Sequence, residues 1–323
     1  MTPMSLFRRW GRAAPLLTLF TLLAGLSLTA QAAQDPAQFR IGYQKGSVSL
    51  VLAKTHQMLE KRYPQTRISW VEFPAGPQML EALNVGSIDM GSTGDLPPLF
   101  AQAAGADLLY VGQEPPKPKA EVILVAENSP IQSVADLKGR KVAFQKGSSS
   151  HNLLLRALQQ AGLTFKDITP VYLTPADARA AFAQHNVDAW AIWDPYYSAA
   201  QLQGGVRVLK DGTTLNQTGS FYLAARRYAE AHPAFIRDVL SQLTAADALT
   251  HTERAQSITL LANAMGLPEP VIATYLGHRP VTVIEPVDKR TEQAQQSTAD
   301  LFYENHLLPK KLDIASRIWR AAP

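Results

Sequence analysis

From Phe39 onward the apolar and polar positions switch between two periods. Short apolar or alternating runs predict strands at Phe39 to Tyr43, Arg67 to Phe73, Ile88 to Met90 and Leu108 to Gly112. Between them, apolar residues at helical spacing predict helices over Ser47 to Arg62 (stopped before Pro64), about Pro77 to Leu83, and Leu96 to Ala103. Strand and helix taking turns predict parallel sheet with helices on its faces. The run Glu114-Pro115-Pro116-Lys117-Pro118-Lys119 breaks the pattern, and an apolar run, Val122 to Ala126, follows it. A second series then begins. Strands are predicted at Lys141 to Phe144, Val171 to Leu173, Asp188 to Ile192 and Val206 to Leu209. Its helices are Ser149 to Ala161, closed by Gly162, then Ala176 to Ala183 and Pro195 to Leu202.

Asp211-Gly212 and Asn216-Gln217-Thr218-Gly219 read as a return crossover, with Ser220 to Ala224 as a strand going back. Beyond Pro233 the chain is helical: Phe235, Ile236, Val239, Leu240, Leu243 and Ala246 recur at helical spacing, and Thr252 to Met265 forms another helix ending at Gly266. These helices are expected to cover the first lobe. The fold class is α/β, with two lobes joined by two crossovers and the second inserted in the first. Residues 33–123 and 219–323 form lobe 1, and residues 124–218 form lobe 2.

The start of the chain follows another pattern. Arg8, Arg9 and Arg12 precede an uncharged apolar stretch from Ala13 to Leu28, and Ala30-Gln31-Ala32 is a small-x-small cleavage pattern. Residues 1–32 therefore read as a secretory signal peptide, with the mature chain starting near Ala33. The rival is an uncleaved membrane anchor. Arg8-Arg9 also hints at twin-arginine export, although Trp10-Gly11-Arg12 fits that route poorly. This alters the charge argument. The 323-residue chain has 31 basic and 27 acidic residues. Without the three leader arginines it is 28 against 27, formally +1. No run of basic residues interleaved with aromatics accompanies that balance, so nucleic acid is not expected as a partner. Cysteine is absent, which excludes both a disulfide framework and a lipid-modified cysteine. No second apolar stretch is long enough to span a bilayer. A freely diffusing protein of the bacterial periplasm is expected.

Enzyme signals are missing. No Gly-x-Ser-x-Gly elbow or Walker loop occurs, and the seven histidines are scattered without metal-ligand spacing. Neither catalytic residues, nor a metal site, nor a cofactor is expected.

The turns carry more. Ile41-Gly42-Tyr43 runs into Gln44-Lys45-Gly46-Ser47, and Val142-Ala143-Phe144 runs into Gln145-Lys146-Gly147-Ser148. Each is a strand-to-helix junction that presents free backbone N–H groups beside a lysine, a setting that suits an anion. The echo suggests two similar lobes facing one cleft. Gln44, Gly46 and Gly147 are thereby candidate ligand contacts. In Gly91-Ser92-Thr93-Gly94-Asp95-Leu96-Pro97-Pro98, the small Gly94 admits a ligand to the backbone, and Ser92 and Thr93 add hydroxyl donors. Asp95 reads as a helix N-cap with proline in the first turn. Ser148-Ser149-Ser150-His151 holds more donors than one cap needs, so Ser148 and Ser149 are placed at the ligand. His151 reads equally as a structural hydrogen-bond partner or as a member of the site. In Trp190-Ala191-Ile192-Trp193-Asp194-Pro195, the aromatics serve either core or cleft. Trp193, at the C-terminal end of its strand, is the better cleft candidate. Asp194 caps the next helix or, like Asp95, receives an amine if the ligand has one.

Taken together, Ile41 to Ser49, Trp70 to Gly76, Gly91 to Pro98, Val134 to Gly139, Lys146 to His151, Trp190 to Tyr197 and Asn216 to Phe221 resemble the aliphatic sulfonate-binding proteins of bacterial ABC importers, relatives of the taurine- and nitrate-binding proteins. The resemblance spans essentially the whole mature chain. It implies a two-lobed periplasmic-binding-protein type II fold that closes on an alkanesulfonate. It also implies a monomer that delivers its ligand to a membrane permease with a cytoplasmic ATPase. Within the wider family, taurine, nitrate or a pyrimidine precursor stays open as ligand. An exported enzyme on a two-lobed scaffold is the reading from another class.

Overall fold

A computed structural model describes residues 35–280 and 282–320. The expected leader, residues 1–32, lies outside them. The first series is β1 (Gln38–Tyr43), α1 (Val48–Thr55), α2 (Met58–Arg62), β2 (Arg67–Glu72), α3 (Gly76–Asn84), β3 (Met90–Thr93), α4 (Pro97–Ala103) and β4 (Leu108–Gln113). The second is β5 (Glu121–Ala126), β6 (Lys141–Phe144), α5 (Ser149–Gln160), β7 (Thr169–Tyr172), α6 (Pro175–Ala183), β8 (Ala189–Trp193), α7 (Tyr196–Gln203) and β9 (Val206–Asp211). The chain returns through β10 (Phe221–Ala225) and ends in α8 (Arg226–Ala231), α9 (Pro233–Thr252), α10 (Arg254–Met265), α11 (Glu269–His278) and α12 (Lys289–Glu304).

Two five-stranded sheets result, ordered β2-β1-β3-β10-β4 and β7-β6-β8-β5-β9. The second series thus sits between two strands of the first sheet. Its first strand begins at Glu121, so the chain changes sheets before that residue, three positions earlier than the expected boundary after 123. The sheets are mixed, which corrects the expectation of parallel sheet. β10 runs antiparallel to β3 and β4, and β5 runs antiparallel to β8 and β9. These are the two strands that arrive from the other sheet. A strand entering over the shared cleft comes in from the C-terminal end of its neighbours, so it must run against them.

Other differences are local. The helix predicted over Ser47 to Arg62 breaks at Gln57, whose φ of 53° is left-handed. β3 takes in Gly91, Ser92 and Thr93, which the sequence presents as a turn. Their side chains make no strand-like run, but the segment is buried between β1 and β10, where ladder pairing outweighs propensity.

Packing holds the cleft-forming ends of the strands in place. One face of the first sheet is covered by α1, α9, α10 and α11 through Leu50, Leu52, Val239, Leu243, Leu261 and Ile272. The other is covered by α3, α4 and α12 through Met79, Leu99 and Phe302. Val48 to Ala53 of α1 are all buried, and each buried leucine or valine contributes about 1.5–3 kcal/mol. That fixes the start of α1 over the C-terminal end of β1. In the second sheet Leu153, Leu154 and Leu158 fix α5 over β6 in the same way. Among the described residues no helix is long and apolar enough to cross a membrane.

Candidate ligand-binding site

The two sheets meet in a cleft of about 730 Å³, its open mouth included. Its walls include the starts of four helices: Ser47 and Val48 of α1, Gly76 of α3, Pro97 of α4, and Ser148 and Ser149 of α5. The first N–H groups of a helix have no intrahelical acceptor, and each helix start carries roughly half a positive charge. α4 adds dipole but few donors, because Pro97 and Pro98 have no N–H. α1, α3 and α5 are the donors. α1 and α5 are the two junctions that echo each other in the sequence; α3 was not among the expected contacts.

Of the expected ligand contacts, Gln44, Gly46, Ser92, Thr93, Gly94, Ser148, Ser149, Trp193 and Asp194 line this cleft. Their roles differ. The Gln44 amide is tied to the Ser92 carbonyl at 3.1 Å, which couples the β1–α1 junction to β3. Thr93 is 3 % exposed, and its Oγ1 has no hydrogen-bond partner. A Cβ on Gly76 would stand 2.1 Å from that oxygen, so only glycine lets the hydroxyl sit against the start of α3. A Cβ on Gly94 would lie 2.7 Å from Ser149 Cβ, which shows how closely the two lobes meet.

The serine cluster is largely committed. Ser148 Oγ donates to the Gln145 carbonyl at 2.7 Å and contacts Ser150 Oγ at 2.9 Å. Ser149 stands near enough to the Glu121 carboxylate to favour its charged form. The Asp194 carboxylate is also occupied: Oδ1 accepts from Ser198 N–H and O–H at 2.9 and 2.6 Å, and Oδ2 lies 2.8 Å from His278 Nδ1. It holds the start of α7 and reaches across to α11. That leaves little of it for an amine.

Asp95, Gly147 and His151 stand outside the cleft lining. Asp95 is buried, accepts from the Asn152 amide at 2.6 Å, and so joins the β3–α4 turn to α5. The position ahead of α4 is Leu96, and Asp95 makes its main bond to the other lobe instead of acting as a simple cap. Gly147 has φ of 77°, and its N–H donates to His151 Nδ1 at 3.2 Å. His151 belongs to the core: its ring packs among Phe100, Phe144, Phe165 and Phe302 at 4.9–6.1 Å. Burial, with a smaller push from Lys146, lowers its pKa to about 3, so the ring is neutral. Of its two sequence readings, the structural one describes its surroundings, because the first turn of α5 rotates the ring inward.

Several cleft residues escaped the sequence reading. Lys117, from the first crossover, pairs with Glu114 at 2.5 Å. Arg279, just after α11, pairs with Asp247 at 2.6 Å and is 3 % exposed on its side chain. Burial works against the charge of Arg279, but Tyr275, Asp247 and Glu114 outweigh it and keep the guanidinium ionised. Burial would likewise raise Glu114, yet Lys117 and Arg279 hold it below the usual carboxylate range. Glu121 goes the other way: burial raises it, while Ser149, Gln217 and Lys117 only partly offset that. Tyr275 donates to the Gly46 carbonyl and ties α11 to the α1 junction. Only Glu114 and Lys117 carried any sequence signal, as parts of the proline-rich break. Among the described residues no group of three or more His, Cys, Asp or Glu could hold a metal ion.

Two lobes, one inserted in the other, with helix N-termini from both converging on one cleft, define a type II periplasmic-binding-protein fold. Comparison with known proteins agrees. Residues 71–252 match the model of the family described as "NMT1/THI5 like". The "Putative aliphatic sulfonates-binding protein" of Escherichia coli (strain K12) is 74% identical over 304 residues, 94% of this chain and 95% of that protein. The crystal structure of the periplasmic aliphatic sulphonate binding protein SsuA from Escherichia coli matches with a TM-score of 0.84 at 76% identity, covering 89% of this chain and 93% of that one. The alkanesulfonate-binding protein SsuA from Xanthomonas axonopodis pv. citri, bound to MOPS, matches with a TM-score of 0.88 at 60% identity over 90% of this chain and all of that one. The chain belongs to the NMT1/THI5-like family.

Proposed function

We propose that the protein is a periplasmic solute-binding protein that captures aliphatic sulfonates for an ABC importer. It binds its ligand unchanged and is not an enzyme. Residues 1–32 direct its export and are then cleaved; the mature protein acts as a monomer and hands the ligand to a permease driven by a cytoplasmic ATPase.

The observation that carries this reading is the convergence of α1, α3 and α5 on a single cleft that also holds the unpartnered Thr93 hydroxyl. A sulfonate is a permanent anion with three acceptor oxygens. Backbone N–H groups and hydroxyls satisfy it without a dedicated cation. Both cleft cations are already paired, Lys117 with Glu114 and Arg279 with Asp247. Trp193 and Pro97 supply apolar wall for the alkyl tail. The names of the close relatives, at 60–76% identity, support the same ligand class. Taurine is the weaker reading, because both oxygens of Asp194 are already engaged.

The test is calorimetric titration of the mature protein with ethanesulfonate, longer alkanesulfonates, taurine, sulfate and nitrate. Alkanesulfonates should bind tightest, emerge unchanged, and raise the melting temperature by binding only the folded form. Equal or stronger binding of nitrate or a neutral sugar would defeat the reading.

A further inference from the structure

The carboxylates of the cleft are more numerous than its cations. Glu114, Glu121 and Asp194 line it against Lys117 and Arg279, formally −1 for a site that receives an anion. Glu114 is neutralised by Lys117, and Asp194 is held by Ser198 and His278. Glu121 has no ion pair of its own: Lys117 lies near enough to act on it but is bound to Glu114. Glu121 accepts from the Gln217 amide at 3.1 Å, and Ser149, the residue at the start of α5, also favours its charged form. Behind it lies a second cavity that shares Gly94, Lys117, Glu121, Ser149 and Ser220 with the cleft and is walled on its far side by Asp95. Asp95 is 2 % exposed, and its Oδ1 has no partner. Two carboxylates without an ion pair of their own, one from each lobe, therefore share a cavity that adjoins the helix N-termini of the cleft.

We infer that Glu121, backed by Asp95, sets the charge that the cleft accepts: it admits a singly charged sulfonate and rejects a dianion of the same size. This rests on the sulfonate reading above and adds a reason for selectivity that does not depend on the alkyl tail. The helix N-termini compensate one negative charge. A second charge on the ligand would face Glu121 in a closed, poorly solvated site, where repulsion between like charges is several times stronger than in water.

The groups around the pair are few. Glu121 faces Lys117, Asp194, Ser149 and Gln217. Asp95 faces Glu121, Asn152 and Arg156, and its backbone carbonyl accepts from Gln295, which also bonds Tyr110. Burial and the neighbouring Glu121 push Asp95 up to about 7. The pair therefore gains a proton as pH falls through neutrality, and the rejection of dianions should relax with it.

Methanesulfonate and sulfate make the comparison, since they differ by a methyl group in place of an oxygen anion. Neither changes its charge between about pH 6 and 8. Calorimetry on the mature protein should show a strong preference for methanesulfonate at pH 8. Glu121→Gln should narrow the methanesulfonate-to-sulfate affinity ratio by on the order of tenfold. The parent ratio should also narrow from pH 8 to pH 6, and that pH dependence should shrink in Glu121→Gln. Asp95→Asn provides the same test should Glu121→Gln fold poorly. A merely structural role for Glu121 would weaken both anions alike and leave the ratio and its pH dependence unmoved, which overturns the inference. A parent that binds methanesulfonate with a fixed, pH-independent ratio defeats the charge filter alone; a parent that binds neither anion removes the sulfonate reading and the filter with it.

Discussion

His278 Nδ1 lies 2.8 Å from Asp194 Oδ2, so the last residue of α11 is joined to the turn between β8 and α7 in the inserted lobe. The His278 ring also stacks on Tyr197, with centroids 5.0 Å apart and planes 14° from parallel. α11 is fixed to lobe 1 by Ile272, Tyr275 and Leu276, which makes this contact a clasp between lobes. His278→Ala should weaken sulfonate binding by roughly 1–3 kcal/mol, the cost of losing a bond to a buried charged group. Titration calorimetry measures it. An unchanged affinity would mean that the clasp does not favour closure.

Thr93→Val should separate binding from stability. The substitution keeps the shape and removes a buried hydroxyl that has no partner in the protein. The ligand-free melting temperature should hold or rise, while sulfonate affinity should fall by roughly 1–3 kcal/mol. Parent-like affinity would remove Thr93 from the anion shell.

The serines should divide by role. Ser148 Oγ is bound to the Gln145 carbonyl and to Ser150, so Ser148→Ala should lower the melting temperature more than the affinity. Ser149 lines the cleft beside Glu121 without a committed bond like that of Ser148, so Ser149→Ala should act mainly on affinity. Thermal melts and titrations of both variants check the division; the reverse assignment would refute it.

Trp193 should matter in proportion to tail length. Each buried methylene contributes about 0.8 kcal/mol. The affinity gap between parent and Trp193→Ala should widen along a series from ethanesulfonate to longer alkanesulfonates. A flat profile in both proteins would take Trp193 out of the tail contact without touching the argument from the helix N-termini.

His151 gives a pH dependence that binding does not. Its folded-state pKa is lowered to about 3 from an ordinary value near 6.5 by burial. Protonation therefore favours the unfolded chain. The stability tied to the neutral ring is fully present above about pH 6.5 and is lost as pH falls from there toward 3. His151→Phe, which suits the aromatic surroundings, should show a smaller drop in melting temperature between pH 7 and 4 than the parent. An equal drop would place the acid sensitivity elsewhere.

The two lobes and the two strand-to-helix junctions that line the cleft were legible in the sequence because they are local. A strand, a glycine-bearing turn, serines and an apolar-striped helix lie within twenty residues, and backbone geometry converts that run into free N–H groups at a helix start. The repeat of Gln-Lys-Gly-Ser at residues 44–47 and 145–148 therefore located two of the three donor helices. Trp193, at the end of its strand, was legible by the same logic. What surrounds those donors was not. Tyr275 reaches Gly46 from 229 residues away, and His278 reaches Asp194 from 84. Asp95 meets Asn152 only because the lobes face each other. The direction of β5 and β10, the inward turn of His151 and the pairing of Lys117 and Arg279 with carboxylates are likewise outcomes of packing. Periodicity reports which face of an element is apolar. It carries nothing about which distant element covers that face, and the charge balance of the cleft is set by that second choice.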